Sequence, residues 1–388
     1  MKLAMYEALS LYFGRKLPWG ALTGVRPTKM VRELSKEGLA PYSVLTETFG
    51  VSEARASLAC GISEIQKSLI AEDSRLLDLY IGIPFCVSQC SYCTFISEVI
   101  GKAEKLVIPY KNALVKELKA IENIIEDNGW QIRSVYVGGG TPTSFSAEQL
   151  AEILAAVSVK PLEFTVEAGR PDTITEAKLK VLKRAGVTRI SVNPQTLKDE
   201  TLKAIGRSHT ADDFYKAFEL SEKYGFILNT DLIAGLPGEE EKDFLNSLER
   251  VIGLGPDNIT LHTLAFKRGS VISEDKSALN GKRMADVLIK AGGMLLEEGY
   301  SPYYMYRQKY MMDNLENVGY AKKGKECLYN VDIMEETLGI MAAGSGAISK
   351  RLFYSENRLE RCANVKDVRG YIERIDELIK KKREFFKV

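Results

Sequence analysis

Short apolar runs alternate with longer amphipathic ones through the middle of this chain. The runs at 77–84, 134–138, 163–168, 189–193, 227–233 and 258–264 are rich in Val, Ile, Leu or Tyr. Unbroken apolar runs of this length suit strands buried on both faces of a parallel sheet. Between them, 109–128 sets Leu114, Leu118, Ile121 and Ile125 on one helical stripe, and 147–157, 175–185, 211–224 and 241–254 behave similarly. Thr175 offers a hydroxyl N-cap, although Lys178 three places on breaks the capping-box pattern. Gly186 and Gly225 fall where helix C-caps belong. Six strand–helix units in series predict a parallel sheet wholly or partly closed as a barrel, with chemistry at the C-terminal strand ends.

Outside this region the pattern changes. Residues 1–75 read as helical, broken at Pro18, Gly20, Pro27, Gly38 and Gly61. After Arg268 the alternation fades, leaving helical stretches at 278–298 and 365–382. Lys380 to Arg383 suit the cationic end of the last helix. Three parts are expected: a helical segment 1–75, a barrel 76–268 and a C-terminal substrate or lid domain 269–388.

The chain has 388 residues, 45% apolar, with 53 Lys and Arg against 52 Asp and Glu. That balance argues against a dedicated nucleic-acid binder. No apolar run approaches the ~20 residues of a membrane span, and the N-terminus lacks a signal-peptide core, so a cytoplasmic location is expected. Six Cys in so long a chain do not form a disulfide framework, and a close group of them reads as metal-binding. Cys60, Cys327 and Cys362 stand apart and read as small hydrophobes.

Cys86, Cys90 and Cys93 are spaced C-x3-C-x2-C directly after the first apolar run. Zinc usually takes four ligands, and the chain's two histidines, His209 and His262, do little to supply them. A [4Fe–4S] cube held by three thiolates keeps one iron open for a small molecule. Val137-Gly138-Gly139-Gly140-Thr141-Pro142-Thr143 follows the second run. Its glycines serve a tight turn or let backbone approach a ligand closely. Glu167 ends the third run, where a carboxylate can accept ribose hydroxyls or pair with Arg170. Gln195 ends the fourth, Arg207 offers a guanidinium suited to a carboxylate, and Asp231 lies within the fifth and needs a partner. The Tyr- and Met-rich stretch 299–312 reads as core, or as an aromatic surface whose Arg307 and Lys309 meet carboxylates.

The cysteine spacing, with Tyr92 before the last Cys, resembles the signature of the radical S-adenosylmethionine (SAM) enzymes. The ordered set of PFC-x3-C-x2-C, GGGTPT, the Gln, Arg and Asp positions and DLIAGLPGE is similar to the oxygen-independent coproporphyrinogen III oxidase family, the HemN/HemW/HemZ group. Leu22 to Lys29, Asn314 to Tyr320 and Gly324 to Asn330 look like its HemZ branch. The resemblance implies an α/β fold: a radical SAM (β/α)6 partial TIM barrel with a helical N-terminal segment and an α+β C-terminal domain. It assigns Cys86, Cys90 and Cys93 to the [4Fe–4S] cluster, and Tyr80, Gly139 and Glu167, with Ile348 beside them, to SAM on the cluster. Tyr92, Gly140, Thr141, Gln195, Arg207, Asp231 and Ala265 match a second SAM site. The implied activity is oxidative decarboxylation of coproporphyrinogen III propionates to vinyls, with electrons from a reduced flavodoxin- or ferredoxin-type protein. A haem-binding chaperone, or a radical SAM enzyme acting on another tetrapyrrole or on RNA, are the alternatives. Two positions depart from the family: Thr94 follows Cys93 where oxidases soon carry a fourth Cys, and Cys327-Leu-Tyr-Asn330 replaces the chaperones' H-N-x-x-Y-W.

Overall fold

The expected helical start becomes α1 (Lys2–Phe13), α2 (Pro27–Lys36) and α3 (Glu53–Gln66), with Pro27 at the first position of α2. The six apolar runs become six strands: β1 (Leu76–Ile83), β2 (Gln131–Gly139), β3 (Glu163–Val166), β4 (Arg189–Ser191), β5 (Ile227–Ala234) and β6 (Asn258–Thr263). The computed structural model describes residues 2–95, 97–266, 281–356 and 358–387, without the side chains of 281–283. The boundary expected after Arg268 lies outside the described residues.

β1 to β5 pair in parallel and in chain order. The crossovers are α4 (Glu104–Asp127), α5 (Ala147–Ala155), α6 (Glu176–Arg184), α7 (Asp199–Ala204) with α8 (Ala211–Glu222), and α9 (Glu241–Leu254). Thr175 Oγ1 accepts the Lys178 N–H at the start of α6, and Gly186 and Gly225 take φ of +82° and +65° after α6 and α8. α4 begins at Glu104, five residues before the apparent signal at Pro109, because Val107 already joins the buried face. The proline then costs one hydrogen bond early in a long helix rather than marking its start.

The chain forms two compact units. The larger contains Ala71–Pro194, Gly206–Asn229 and Cys327–Val388; the smaller contains Met1–Ile70, Gln195–Ile205 and Thr230–Glu326. β5 runs from one into the other.

In the smaller unit, α10 (Gly281–Glu297) is followed by β7 (Ser301–Tyr306) and β8 (Asn317–Ala321). Residues 278–280 of the helical stretch expected there lie outside the described residues. β8 pairs antiparallel with both β6 and β7. Trp19 donates its indole N–H to Glu316 at 2.7 Å, and the Arg55 guanidinium lies 2.7 Å from the same carboxylate. Tyr303, Tyr304 and Met305 are buried, so this part of the Tyr- and Met-rich stretch is core, whereas Tyr310 is exposed. Arg307 is buried too, giving its N–H groups to the carbonyls of Leu22, Gly24 and Asn314. That correction is physical: a guanidinium spent on three backbone carbonyls has little left for a carboxylate.

In the larger unit, α11 (Leu328–Glu335) leads into β9 (Gly339–Ala343), which pairs in parallel with β1 on the side away from β2. β10 (Ile348–Phe353) and β11 (Arg358–Ala363) extend that edge antiparallel. Ile81, Val135, Val137, Val166 and Ile190 fill the strands, each fully buried side chain contributing about 1.5–3 kcal/mol. The expected last helix is two, α12 (Val368–Glu373) and α13 (Ile375–Phe386). Within its basic run, Lys382 turns inward and its ammonium meets Glu117 of α4 at 2.5 Å. Glu117 also accepts from Asn364 at 2.8 Å, from Tyr371 at 2.6 Å and from the Gly344 N–H at 2.8 Å. Among the described residues no helix is long and apolar enough to cross a membrane.

Candidate active site

Pro84 ends β1, and Phe85–Cys86 then pair in parallel with Glu98–Val99. Two further backbone bonds, Glu98 N–H to Pro84 O at 2.8 Å and Ile100 N–H to Cys86 O at 2.9 Å, close the base of the cysteine loop. Inside it, the Cys93 N–H donates to Cys90 O at 3.1 Å. Among the described residues no group of three or more His, Cys, Asp or Glu could hold a metal ion. A single ion needs its ligands around one point, whereas a four-iron cube offers each thiolate its own iron.

The glycine run lies against this loop. Gly140 N–H donates to Ile83 O and Thr141 N–H to Phe85 O, both at 2.7 Å, and the Thr141 hydroxyl lies 3.5 Å from Cys86 Sγ. A Cβ on Gly140 would meet Phe85 O at 2.5 Å and Cys86 Sγ at 3.0 Å, so only glycine fits. Gly139, at φ +104°, requires the same freedom for a different reason.

Glu167 follows β3, its carboxylate accepting the Tyr136 hydroxyl at 2.5 Å. A Cβ on Gly138 would come 2.8 Å from Glu167 Oε2, so the carboxylate lies directly over the glycine run. Tyr80, Tyr136 and Tyr329 form a stack, with Tyr136 and Tyr329 centroids 4.4 Å apart and Tyr80 at 6.4 and 6.2 Å from them. Burial first, and the Glu167 charge second, push the Tyr80 phenol far above its ordinary value. Arg170 pairs with Asp172, at 3.1 Å through both Nε and Nη2, instead of answering Glu167.

Arg207 donates to Gly169 O at 2.9 Å, Asn193 O at 3.2 Å and the Tyr92 hydroxyl at 3.0 Å, while its buried Nε–H has no partner among the described residues. Burial opposes its charge, but Tyr92 and Cys90 beside it outweigh burial and hold the guanidinium charged. Ile348 begins β10, just after the turn whose Ser345 N–H donates to the Tyr110 hydroxyl at 3.1 Å. That hydroxyl donates in turn to Gly82 O of β1 at 2.7 Å.

Tyr80, Tyr92, Gly139, Gly140, Thr141, Glu167, Arg207, Ile348 and the three cysteines thus all belong to the larger unit. Gln195, Asp231 and Ala265 belong to the smaller. There the Gln195 N–H donates to Asp231 O at 3.1 Å, with Gln195 at φ +69°. The Asp231 carboxylate lies 3.6 Å from His262 Nε2, and His262 Nδ1 lies 3.5 Å from the Tyr306 hydroxyl. Ala265 bridges to Met311.

Sequence reasoning missed Tyr136, Tyr329 and the contact of His262 with Asp231. Tyr136 left one signal, an aromatic two places before Gly138, on the same face by strand alternation.

The donor set fits an iron–sulfur cluster with SAM: three thiols, a cradle that a Cβ would fill, and a buried guanidinium with an N–H unused among the described residues. The Radical SAM superfamily matches residues 80–251. Across 97% of its length the chain is 38% identical to the oxygen-independent coproporphyrinogen-III oxidase-like protein HemZ of Bacillus subtilis, 79% of which is covered. It is 32% identical to the heme chaperone HemW of the same organism, over 77% of this chain and 76% of that one. The fold is similar to that of coproporphyrinogen III oxidase (HemN) from Escherichia coli, with a TM-score of 0.63 and 22% identity, over 81% of this chain and 72% of that one. The chain therefore belongs to the radical SAM superfamily, in its HemN/HemW/HemZ group, whose cofactors are a [4Fe–4S] cluster and S-adenosylmethionine.

Proposed function

We propose that the chain is a radical SAM enzyme of the oxygen-independent coproporphyrinogen III oxidase type, giving protoporphyrinogen IX. The observation that carries this reading is the similarity to HemZ along nearly the whole chain, beyond the superfamily core. In the net reaction each of two propionates loses a hydrogen atom from its β-carbon and CO2 and passes one electron to a separate one-electron acceptor, leaving a vinyl group. When bound, the cluster with SAM supplies a carbon-centred radical able to take that hydrogen atom.

The protein's part is to hold, orient and exclude water. Cys86, Cys90 and Cys93 would hold three irons and leave the fourth for SAM. The backbone at Gly139 would meet the SAM amino group, and Glu167, set by Tyr136, would accept the ribose hydroxyls. Tyr80, stacked with Tyr136, would wall the site, with Ile348 as a further neighbour of the SAM. Within the larger unit, Arg207 would turn its spare Nε–H to the carboxylate of a second SAM, beside Tyr92, Gly140 and Thr141. Electrons would come from a reduced flavodoxin- or ferredoxin-type protein.

Similarity to HemW favours a second reading, haem carriage. Against it, the segment in place of the chaperone motif faces inward: the Cys327 thiol donates to Glu163 at 3.1 Å, and the Tyr329 ring stacks on Tyr136. Anaerobic reconstitution is expected to give about four irons per chain, lost on Cys90→Ala. With a reductant, SAM should yield 5′-deoxyadenosine and coproporphyrinogen III should become protoporphyrinogen IX. Zinc in place of iron would end the account. SAM cleavage without porphyrinogen conversion, together with tight haem binding in titration, would select the chaperone.

A further inference from the structure

We infer that Arg170 is a positioning and tuning residue for the iron–sulfur cluster, acting through Cys90. The inference rests on the placement of the cluster on Cys86, Cys90 and Cys93. Arg170 is only 3% exposed, and its Nη1 lies 3.6 Å from Cys90 Sγ and 2.9 Å from Ser88 Oγ. Ser88 in turn donates to Gly206 O at 2.9 Å. The opposite edge of the guanidinium is clamped by Asp172 through two parallel bonds of 3.1 Å. A planar fork gripped on one edge holds its remaining N–H aimed at the sulfur, which a flexible lysine would not do.

Reduction adds one negative charge to the cluster, and part of that charge reaches its thiolates. A buried cation that donates an N–H to one of them stabilises the reduced state more than the oxidised state. Burial amplifies the effect, because little water intervenes to screen it. Arg170 therefore raises the cluster's reduction potential and brings it within reach of a protein electron donor. Asp172 works in the other direction, since its carboxylate partly cancels the guanidinium. A residue that merely stapled the cysteine loop to the turn at 170–172 would affect how much iron is retained. It would not move the potential with a sign that follows the charge removed.

The test is an EPR-monitored redox titration of anaerobically reconstituted full-length wild type, Arg170→Met, Arg170→Lys and Asp172→Asn, with iron and sulfide measured on each. In cluster-loaded Arg170→Met the reduction equilibrium should fall at least tenfold, about 59 mV for one electron. Arg170→Lys should fall less, and Asp172→Asn should move upward. A loaded Arg170→Met with the wild-type potential would overturn the inference, as would Arg170→Met and Asp172→Asn moving the same way. Should Arg170→Met fail to hold iron, the contrast between Arg170→Lys and Asp172→Asn decides alone, opposite shifts supporting the inference and equal potentials ending it. Wild type without a [4Fe–4S] signal, or with one untouched by Cys90→Ala, would instead remove the cluster placement, a separate and distinguishable result.

Discussion

Replacing Gly140 with alanine puts a methyl group into space that is already filled. The added Cβ would meet Phe85 O at 2.5 Å, Ile83 O at 2.9 Å and Cys86 Sγ at 3.0 Å. Ordinary contact begins at 3.4 Å, so the worst shortfall is 0.9 Å. Two of the three obstacles are backbone carbonyls, which cannot rotate away, and each accepts one of the 2.7 Å bonds from Gly140 and Thr141. Overpacking of this kind costs typically ~1–3 kcal/mol. Each strained hydrogen bond adds up to ~0.5–1.5 kcal/mol, so Gly140→Ala should lower the unfolding free energy by ~2–6 kcal/mol. Relief of the clash must also displace Phe85 and Cys86, so iron retained after reconstitution should fall with stability. Urea unfolding of the reduced apo-protein, followed by circular dichroism, measures the first effect, and iron per chain the second. Gly61 is the control: it lies within α3, where an added Cβ would meet nothing within 4 Å among the described residues beyond its own helix, and Gly61→Ala should stabilise by ~0.5–1 kcal/mol. Gly140→Ala that unfolds like wild type and keeps its iron would refute the steric reasoning.

Tyr136→Phe removes the hydroxyl that holds Glu167 and should weaken SAM binding to the cluster-loaded protein roughly tenfold, about 1.4 kcal/mol, with iron content unchanged. Equilibrium dialysis with labelled SAM reads this, and unaltered affinity would mean that the carboxylate is aligned by other groups. Lys382→Met leaves the Glu117 carboxylate, 0% exposed, with neutral donors only, and should cost ~3–5 kcal/mol in denaturant unfolding. Adding Glu117→Gln should recover part of that loss, and a double variant no better than the single would rule out charge as the cause. His209 is pushed down from 6.5 to about 4, by burial first and then by Arg207, so the unfolded chain takes its proton more readily than the folded one. Its contribution is therefore present above pH ~6.5 and is lost as the pH falls toward ~4, at most about 3 kcal/mol. His209→Gln should flatten that limb of the stability–pH curve, and an unchanged limb would assign it to other groups.

The parts of this molecule that repeat locally were legible in its sequence. Buried parallel strands announce themselves as apolar runs, and the cysteine spacing and the glycine run are local too, so β1 to β6 and the loop around Cys86 could be placed from residues alone. The helix caps at Thr175, Gly186 and Gly225 follow from single-residue stereochemistry. What was hidden depends on long-range contacts. Lys382 reads as one of four cations at a helix end until Glu117, 265 residues away, is found against it. Arg170 has a carboxylate three places before it and another two places after, and nothing local decides that Asp172 takes it and frees Glu167 for Tyr136. For Arg307 the sequence leaves core and carboxylate-facing surface both open, because the carbonyls of Leu22 and Gly24 that settle it lie nearly three hundred residues upstream.

The backbone bonds from Gly140 and Thr141 to Ile83 and Phe85 also set an order of events in the cell. They join segments more than fifty residues apart, across the β1–β2 ladder, and long-range parallel pairing is among the slower steps of folding. The three thiols have their spacing from the moment of synthesis, but Cys86 reaches its station only once that ladder has closed. With the cluster on these thiols as proposed, iron delivery would follow closure of the sheet. This is the reverse of a zinc finger, where the metal must arrive before the chain can fold. A cell short of iron should accordingly accumulate a folded, protease-resistant apo-protein, ready for rescue when iron returns.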